Sequence, residues 1–431
     1  MKNTAFSRSP QLMSETFLDG FIEPYFKNRH IYMDAVRMHG SPLYILEPDI
    51  LVNRAIQFRK AFSRSLTWVK CFFAVKSNNL PLVSRLLIKQ GYGLDVSSGV
   101  ELNIALSLGA DDIIFSGPGK TVDELELALA NASTVTVLLD SIGELERLAA
   151  LARKNRIKIR AGIRLNNNPD GLWRKFGIPL DALDMCYEMS KKEKYLDFCG
   201  LQFHSSWNLN ALKQADFIQI LGSKLKRMPK AYLESLKFID IGGGYWPPQG
   251  EWLISDQPLE HLHLPADSIN HFAEALVGSI REHILNLTDC DIYLEPGRWI
   301  CNDAMHILIT AIDRKEEDLV IADGGTNMVG WERFESDYFP VLNLSNPSNT
   351  ETPFMILGSL CTPHDVWGYT CFGKDIQEGD ILMIPTQGAY TYSLRQHFIK
   401  PLPSVVPLRR VMVDEQPYEY SVAMMPQPED E

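Results

Sequence analysis

The sequence predicts an α/β protein: a closed (β/α)8 barrel of the TIM type followed by a β domain built as a sandwich or small barrel. Three observations carry that expectation. Eight short apolar or β-branched runs alternate with helical patterns between residues 69 and 295, a polar residue or glycine closes each run, and beyond about residue 300 the pattern changes to extended runs broken by glycine and proline. A length of 431 residues has room for two or three domains.

The eight runs are Val69 to Val75, Gly93 to Ser97, Asp112 to Ser116, Thr134 to Asp140, Ile157 to Leu165, Asp197 to His204, Lys237 to Ile241 and Asp291 to Glu295. Two of the intervening helices carry start signals, since Thr121 with Glu124 and Ser141 with Glu144 have the capping-box spacing that satisfies orphan N–H groups. Eight parallel strands close most simply as a barrel, and a doubly wound open sheet is the alternative. The polar residues discriminate. A barrel gathers its chemistry at the C-terminal ends of all its strands, whereas an open sheet gathers it at one switch point. Here Lys76, Asp95, Gly117, Asp140, Arg164, His204, the Gly242-Gly243-Gly244 triplet and Glu295 lie at or near the ends of successive runs.

Residues 306–312 (HILITAI), 318–323 (DLVIAD) and 380–385 (DILMIP) read as strands of the second domain. The expected division is an N-terminal segment 1–45 that contributes to the β domain, a barrel over 46–300, and a C-terminal β domain over 301–431. Residues 247–265 and 343–353 read as long loops, and 413–431 as an acidic, proline-containing tail.

Composition excludes several classes. Lys plus Arg number 42 and Asp plus Glu 54, a net charge of −12, which disfavours a nucleic-acid partner or an anionic membrane surface. Seven cysteines, an odd number without a C-x-x-C pair, give no metal-site spacing and suggest reduced thiols in the cytoplasm. No stretch of 18 uninterrupted apolar residues occurs, and the first residues have no signal-peptide pattern.

Three local features carry chemistry. Lys76 directly follows a buried strand, where lost solvation would leave a neutral amine able to form a Schiff base; alone, such a lysine is more often one that snorkels from a strand end. The glycine triplet leaves consecutive backbone N–H groups unobstructed, as a phosphate nest requires, although a tight turn would use the same residues. Glu295-Pro296-Gly297-Arg298 places a carboxylate at a strand end before a turn, suited to a protonated ring nitrogen and a phosphate; by itself a structural Glu–Arg pair is the commoner arrangement.

Together with further segments these features resemble the fold type III pyridoxal-phosphate decarboxylases, the diaminopimelate, ornithine and arginine decarboxylase group with an alanine-racemase-like barrel. The matching segments run in order: AVKSN (74–78), GLDVSSGVEL (93–102), FSGPGKT (115–121), LDS (139–141), KFGI (175–178), GLQFH (200–204), IDIGGGY (239–245), EPGR (295–298), Cys361 with Asp365, and GAY (388–390). The resemblance implies a carboxy-lyase in which Lys76 bears pyridoxal 5'-phosphate, Glu295 faces the ring nitrogen and His204 lies against the ring. Gly242, Gly243, Gly244, Gly297, Arg298 and Tyr390 would hold the phosphate. Asp95 and Glu101 would be the acidic pair near Lys76, and Arg164 a buried organising residue. It also implies a homodimer in which Cys361 and Tyr390 reach the partner's site, Cys361 returns the proton after carbon dioxide leaves, and Lys175 and Asp365 bridge subunits.

The sequence departs from that family pattern in three places. Thr362 follows Cys361 where the family has an acid that pairs with a distal amine; Trp331 stands at a position usually occupied by arginine; and Trp207 replaces a phosphate-contacting serine, leaving Ser205 or Ser206 to substitute. A neutral hydroxyl cannot pair with a free diamine head, so the expected substrate is a diamino acid with its distal nitrogen acylated, such as a citrate-conjugated siderophore intermediate. Thr362, Trp331, Arg333 and His364 are the candidate contacts. The alternatives are a decarboxylase of free diaminopimelate, ornithine or lysine, a racemase of the same fold, a barrel-only type of cofactor carrier, and a catalytically silent binding regulator. Glu295 disfavours the racemase, the β domain disfavours the carrier, and the retained cofactor residues disfavour the regulator.

Overall fold

The computed structural model describes residues 9–257, 259–330, 337–411 and 419–422. Trp331, Arg333 and most of the acidic tail lie outside them. The chain divides into two compact units, one of Arg54–Pro248 with Ala266–Trp299, the other of Met1–Asn53, Gln249–Pro265 and Ile300–Glu431.

The first unit is the barrel. Its strands are β1 (Val69–Ala74), β2 (Gly93–Val96), β3 (Ile113–Phe115), β4 (Val135–Leu139), β5 (Ile159–Asn166), β6 (Leu196–Gln202), β7 (Phe238–Asp240) and β8 (Asp291–Leu294). Each pairs in parallel with the next in sequence, and β8 pairs with β1, so the sheet closes. All eight expected runs are therefore strands, and the open sheet is excluded. The interior is packed at one level by Phe72, Ile114, Leu138, Cys199, Phe238 and Tyr293, with Phe238 and Tyr293 stacked at 4.4 Å. Gly200 makes room for that layer, because a Cβ there would lie 2.2 Å from the Phe238 ring. With this level filled by apolar side chains, the polar strand ends are left for chemistry.

Both capping signals start helices, but they differ. Thr121 and Glu124 form the reciprocal box at the helix Val122–Ala130. Ser141 caps the helix Ile142–Asn155 alone. Its intended partner Glu144 instead accepts from Lys120 Nζ at 2.8 Å and from the Asp140 N–H at 3.3 Å, because Lys120 is buried beside it and a charge there needs a counter-charge.

The second unit is mainly antiparallel. Met305–Glu316, Leu319–Ala322, Glu351–Leu357, Val366–Phe372, Leu342–Asn343 and Ile381–Ile384 pair in a closed ring, and Leu43–Leu46, Ser404–Val411 and Glu419–Val422 extend it from Met305–Glu316. Its core contains Leu18, Ile22, Phe26, Leu308, Leu342 and Met383. Two loop expectations are corrected. Residues 247–265 contain an antiparallel hairpin, Glu251–Ile254 with His261–Leu264, to which Gln11–Leu12 adds a third strand. It forms because Trp252 and Leu264 are buried, so the hairpin has an apolar face to cover. Residues 351–353 likewise belong to a strand, which shortens the second expected loop.

Candidate active site

The C-terminal ends of the barrel strands bring most of the sequence-selected residues to one mouth. Lys76 sits in a 3-10 turn directly after β1 and places Nζ 2.8 Å from Asp95 Oδ2. Asp95 is fully buried on β2, and its Oδ1 accepts a short hydrogen bond from Ser116 at the end of β3. Burial raises the Asp95 pKa, and the Lys76 ammonium opposes that rise. The expectation that strand-end position alone desolvates Lys76 is not met, since the side chain keeps 33% of its exposure; the ion pair, rather than an apolar wall, defines its surroundings. Glu101 faces the same region but accepts from the Ser97 N–H at 2.6 Å, closing the first turn of its helix.

On the neighbouring strand, which pairs with β1, Glu295 is buried just beyond β8. Its Oε1 accepts from Gln202 Nε2 at 3.1 Å and its Oε2 faces His204 Nδ1 at 3.1 Å. Burial would push this carboxyl up, but the hydrogen bond and charge of His204, with Lys76 and Arg164 beyond, hold it down at about 2. An ionised carboxylate is therefore maintained inside the barrel. Arg164 on β5 donates to the Ser116 carbonyl at 3.1 Å, lies 3.5 Å from Asp140, and stacks over Phe176. It ties β3, β4 and β5 together at the mouth.

The glycine triplet after β7 has no room for side chains. A Cβ on Gly243 would lie 2.1 Å from the Glu295 carbonyl oxygen and one on Gly244 2.0 Å from that of Ser205; Gly242 and Gly244 adopt φ of +71° and +79°. A Cβ on Gly297 would lie 2.8 Å from Ser77 Oγ. These turns form a backbone cradle suited to a phosphate, beside one buried carboxylate for a ring nitrogen and one amine, and so the residues present fit pyridoxal phosphate. Arg298 stacks its guanidinium over Trp246 at 4.5 Å, and Trp246 stacks with Trp207, which is 45% exposed and has φ of +54°. Ser205 Oγ accepts from Asn167.

The remaining selected residues belong to the second unit. Cys361 is exposed, Thr362 half-buried and His364 exposed, on the turn between the strands Glu351–Leu357 and Val366–Phe372. Tyr390 has φ of +58° in a segment anchored by the Gly388 N–H to the Asn302 carbonyl at 2.9 Å. Asp365, expected to bridge subunits with Lys175, is buried and accepts from the Thr326 N–H and hydroxyl and from the Leu360 N–H, so within its own chain it pins the turn that carries Cys361. All seven cysteines are free. Among the described residues there is no cluster of His, Cys, Asp and Glu able to hold a metal, and no helix long and apolar enough to cross a membrane.

Sequence reading missed Ser116, Gln202 and Asp240 as members of the buried network. Each was visible as a polar residue inside or at the end of an apolar run (DIIFS, GLQFH, KFIDI), a placement that in a closed barrel points a side chain into the interior.

Comparison with known proteins agrees with this geometry. Residues 50–302 match the pyridoxal binding domain of the pyridoxal-dependent decarboxylases. A diaminopimelate decarboxylase from Campylobacter jejuni is 26% identical, covering 85% of this chain and 90% of that protein. An L-glutamyl-[BtrI acyl-carrier protein] decarboxylase from Niallia circulans is 25% identical over 83% of this chain and 86% of its own. The crystal structure of diaminopimelate decarboxylase from M. jannaschii in co-complex with L-lysine superposes with a TM-score of 0.76 at 23% identity, covering 87% of this chain and 89% of that one.

Proposed function

Starting from a chain that belongs to the pyridoxal-dependent decarboxylase family, we propose that its substrate is a diamino acid whose distal nitrogen is acylated, as in a citrate-conjugated siderophore intermediate, and that it loses its α-carboxylate. The observation that carries the substrate reading is Thr362, a half-buried neutral side chain directly after the exposed Cys361. A free ammonium head brought to such a position would lose water without gaining a counter-charge. The Niallia circulans relative, named for an L-glutamyl-acyl-carrier substrate, supports a family scaffold that accepts modified amino acids. The names of the diaminopimelate decarboxylase relatives favour the second reading, a free diamino acid.

Pyridoxal phosphate, when bound, supplies an electron-accepting ring and a carbonyl that condenses with amines. Lys76 is the amine that anchors it, and Asp95 holds that amine in place. Glu295 presents the negative charge for the ring nitrogen, and His204, oriented through Nδ1, packs against the ring. The Gly242–Gly244 and Gly297 turns, with Arg298, receive the phosphate. Arg164 holds the strand ends in register. Cys361 returns a proton to the reacting carbon, with Tyr390 at the phosphate, both contributed across a homodimer. His364, and beyond the described residues Trp331 and Arg333, are the candidate contacts to the acyl group. Seven free thiols support a cytoplasmic enzyme.

A panel of free and acylated diamino acids, scored by carbon dioxide release and retained amine product, tests the reading. Preference for acylated forms is expected; efficient turnover of free lysine, ornithine or diaminopimelate without that preference contradicts it.

A further inference from the structure

Asp240 has no part in the scheme above, yet it is buried in the same barrel interior, on β7 in register with Gln202 of β6. Its Oδ1 accepts from the Gly242 N–H at 2.8 Å, while its Oδ2 is buried and finds no donor. Asp240 stands in register with Tyr293, two residues before Glu295, and the Glu295 N–H bonds to the Gly242 carbonyl at 3.0 Å. The Asp240 and Glu295 side chains therefore project to the same side, and the neighbour that meets this carboxyl is another carboxyl, that of Glu295. Two carboxylates can share such a contact only if one of them carries the proton.

The surroundings decide which. Glu295 accepts from Gln202 Nε2, faces His204 Nδ1, and lies in the field of Lys76 and Arg164. Asp240 has one neutral backbone donor and faces two negative groups, Glu295 and Asp95. Burial, then the Glu295 charge, push the Asp240 carboxyl well above the usual range, while Glu295 is held low. Three buried carboxylates, Asp95, Asp240 and Glu295, stand together, and Lys76 is already paired with the first.

We infer that Asp240 is a neutral carboxylic acid in the folded protein and donates its proton through Oδ2 to Glu295, making it the positioning residue that fixes the Glu295 carboxylate. That Glu295 then serves the cofactor ring rests on the proposed function; the protonation of Asp240 does not. The state also accounts for the orphaned Oδ2, which is a donor rather than an unsatisfied acceptor. Donor and acceptor are thereby matched without a further counter-ion.

Infrared difference spectroscopy of the full-length protein, free of cofactor and loaded, tests this directly. At about pH 7 a neutral-acid carbonyl stretch is expected that moves in heavy water, shifts when aspartate is labelled with carbon-13 at the side-chain carboxyl, and disappears in Asp240→Asn. Asp240→Ala is expected to weaken pyridoxal phosphate binding about tenfold, the worth of one charge-assisted hydrogen bond, and Asp240→Asn, which keeps a donor, to recover most of that loss. Absence of the band in the wild type, a shift with labelled glutamate instead of aspartate, survival of the band in Asp240→Asn, or an Asn variant no better than the Ala variant each overturns the inference. The labelling result stands even if a variant fails to fold. The cofactor-free spectrum separates this inference from the proposed function, since the band does not depend on turnover.

Discussion

Lys76 Nζ lies 2.8 Å from Asp95 Oδ2, and the other oxygen of that fully buried carboxylate is held by Ser116. The amine is thus positioned from β2 and β3. A lysine so held presents Nζ in one place at the barrel mouth, with a proton acceptor beside it, which is what separates it from a strand-end lysine that merely snorkels.

Thr362→Asp should restore the counter-charge for a free distal amine. A charge-assisted hydrogen bond contributes roughly 1.5–3 kcal/mol, so the ratio of kcat/KM for a free diamino acid over its acylated form should rise at least about tenfold. Steady-state kinetics on the two substrates measure it, and an unchanged ratio would remove Thr362 from the distal pocket.

Glu295→Gln should change how stability depends on pH. The folded pKa of Glu295 is lowered to about 2 from an ordinary 4.5, so its contribution is fully present above 4.5 and is lost as pH falls toward 2. That shift corresponds to about 3 kcal/mol. Urea unfolding of the cofactor-free proteins should show a wild-type advantage of that order at pH 7 that shrinks below 4.5, down to the lowest pH at which both fold.

Lys120 and Glu144 form an ion pair in which both side chains are 1% exposed, and Lys120 also donates to the carbonyls of Gly117 and Leu138. Lys120→Met strands a buried carboxylate and two carbonyls, and should cost about 3–5 kcal/mol. Adding Glu144→Leu should return part of that loss, leaving the two carbonyls as the remainder. Equilibrium unfolding of the single and double variants completes the cycle.

Gly243→Ala forces a Cβ to 2.1 Å from the Glu295 carbonyl, a contact that only a backbone shift can relieve. Pyridoxal phosphate affinity should fall at least about a hundredfold, equivalent to about 3 kcal/mol, with the far-ultraviolet circular dichroism of the barrel retained. Titration by absorbance measures the loss.

Much of this architecture was legible in the sequence for one physical reason. Strands buried on both faces read as continuous apolar runs, so all eight barrel strands stood out, and the residues closing the runs marked the mouth. The hairpin over 251–264 did not stand out, because its two strands are four residues each, lie between prolines, and owe their order to partners such as Gln11–Leu12 that are distant in sequence. Lys76, His204 and Glu295 were recognisable from their motifs. Asp240 was not, because a carboxylate within a short strand carries no sign of the second carboxyl that meets it from β8. The bond that Glu144 makes to Lys120 instead of to its own helix start was hidden for the same reason: spacing specifies local partners, and burial chooses among non-local ones.

The most direct test of the central claim, that Lys76 anchors pyridoxal phosphate inside this barrel, is to mix the purified full-length protein with the cofactor, reduce with borohydride and map the attached mass by peptide mass spectrometry, with Lys76→Ala in parallel. A visible absorption band that vanishes on reduction and the reduced pyridoxyl group on the peptide containing Lys76 are expected, and neither in the Ala variant. A folded wild-type protein that stays colourless at saturating cofactor, or a label on another lysine that persists in Lys76→Ala, would contradict it.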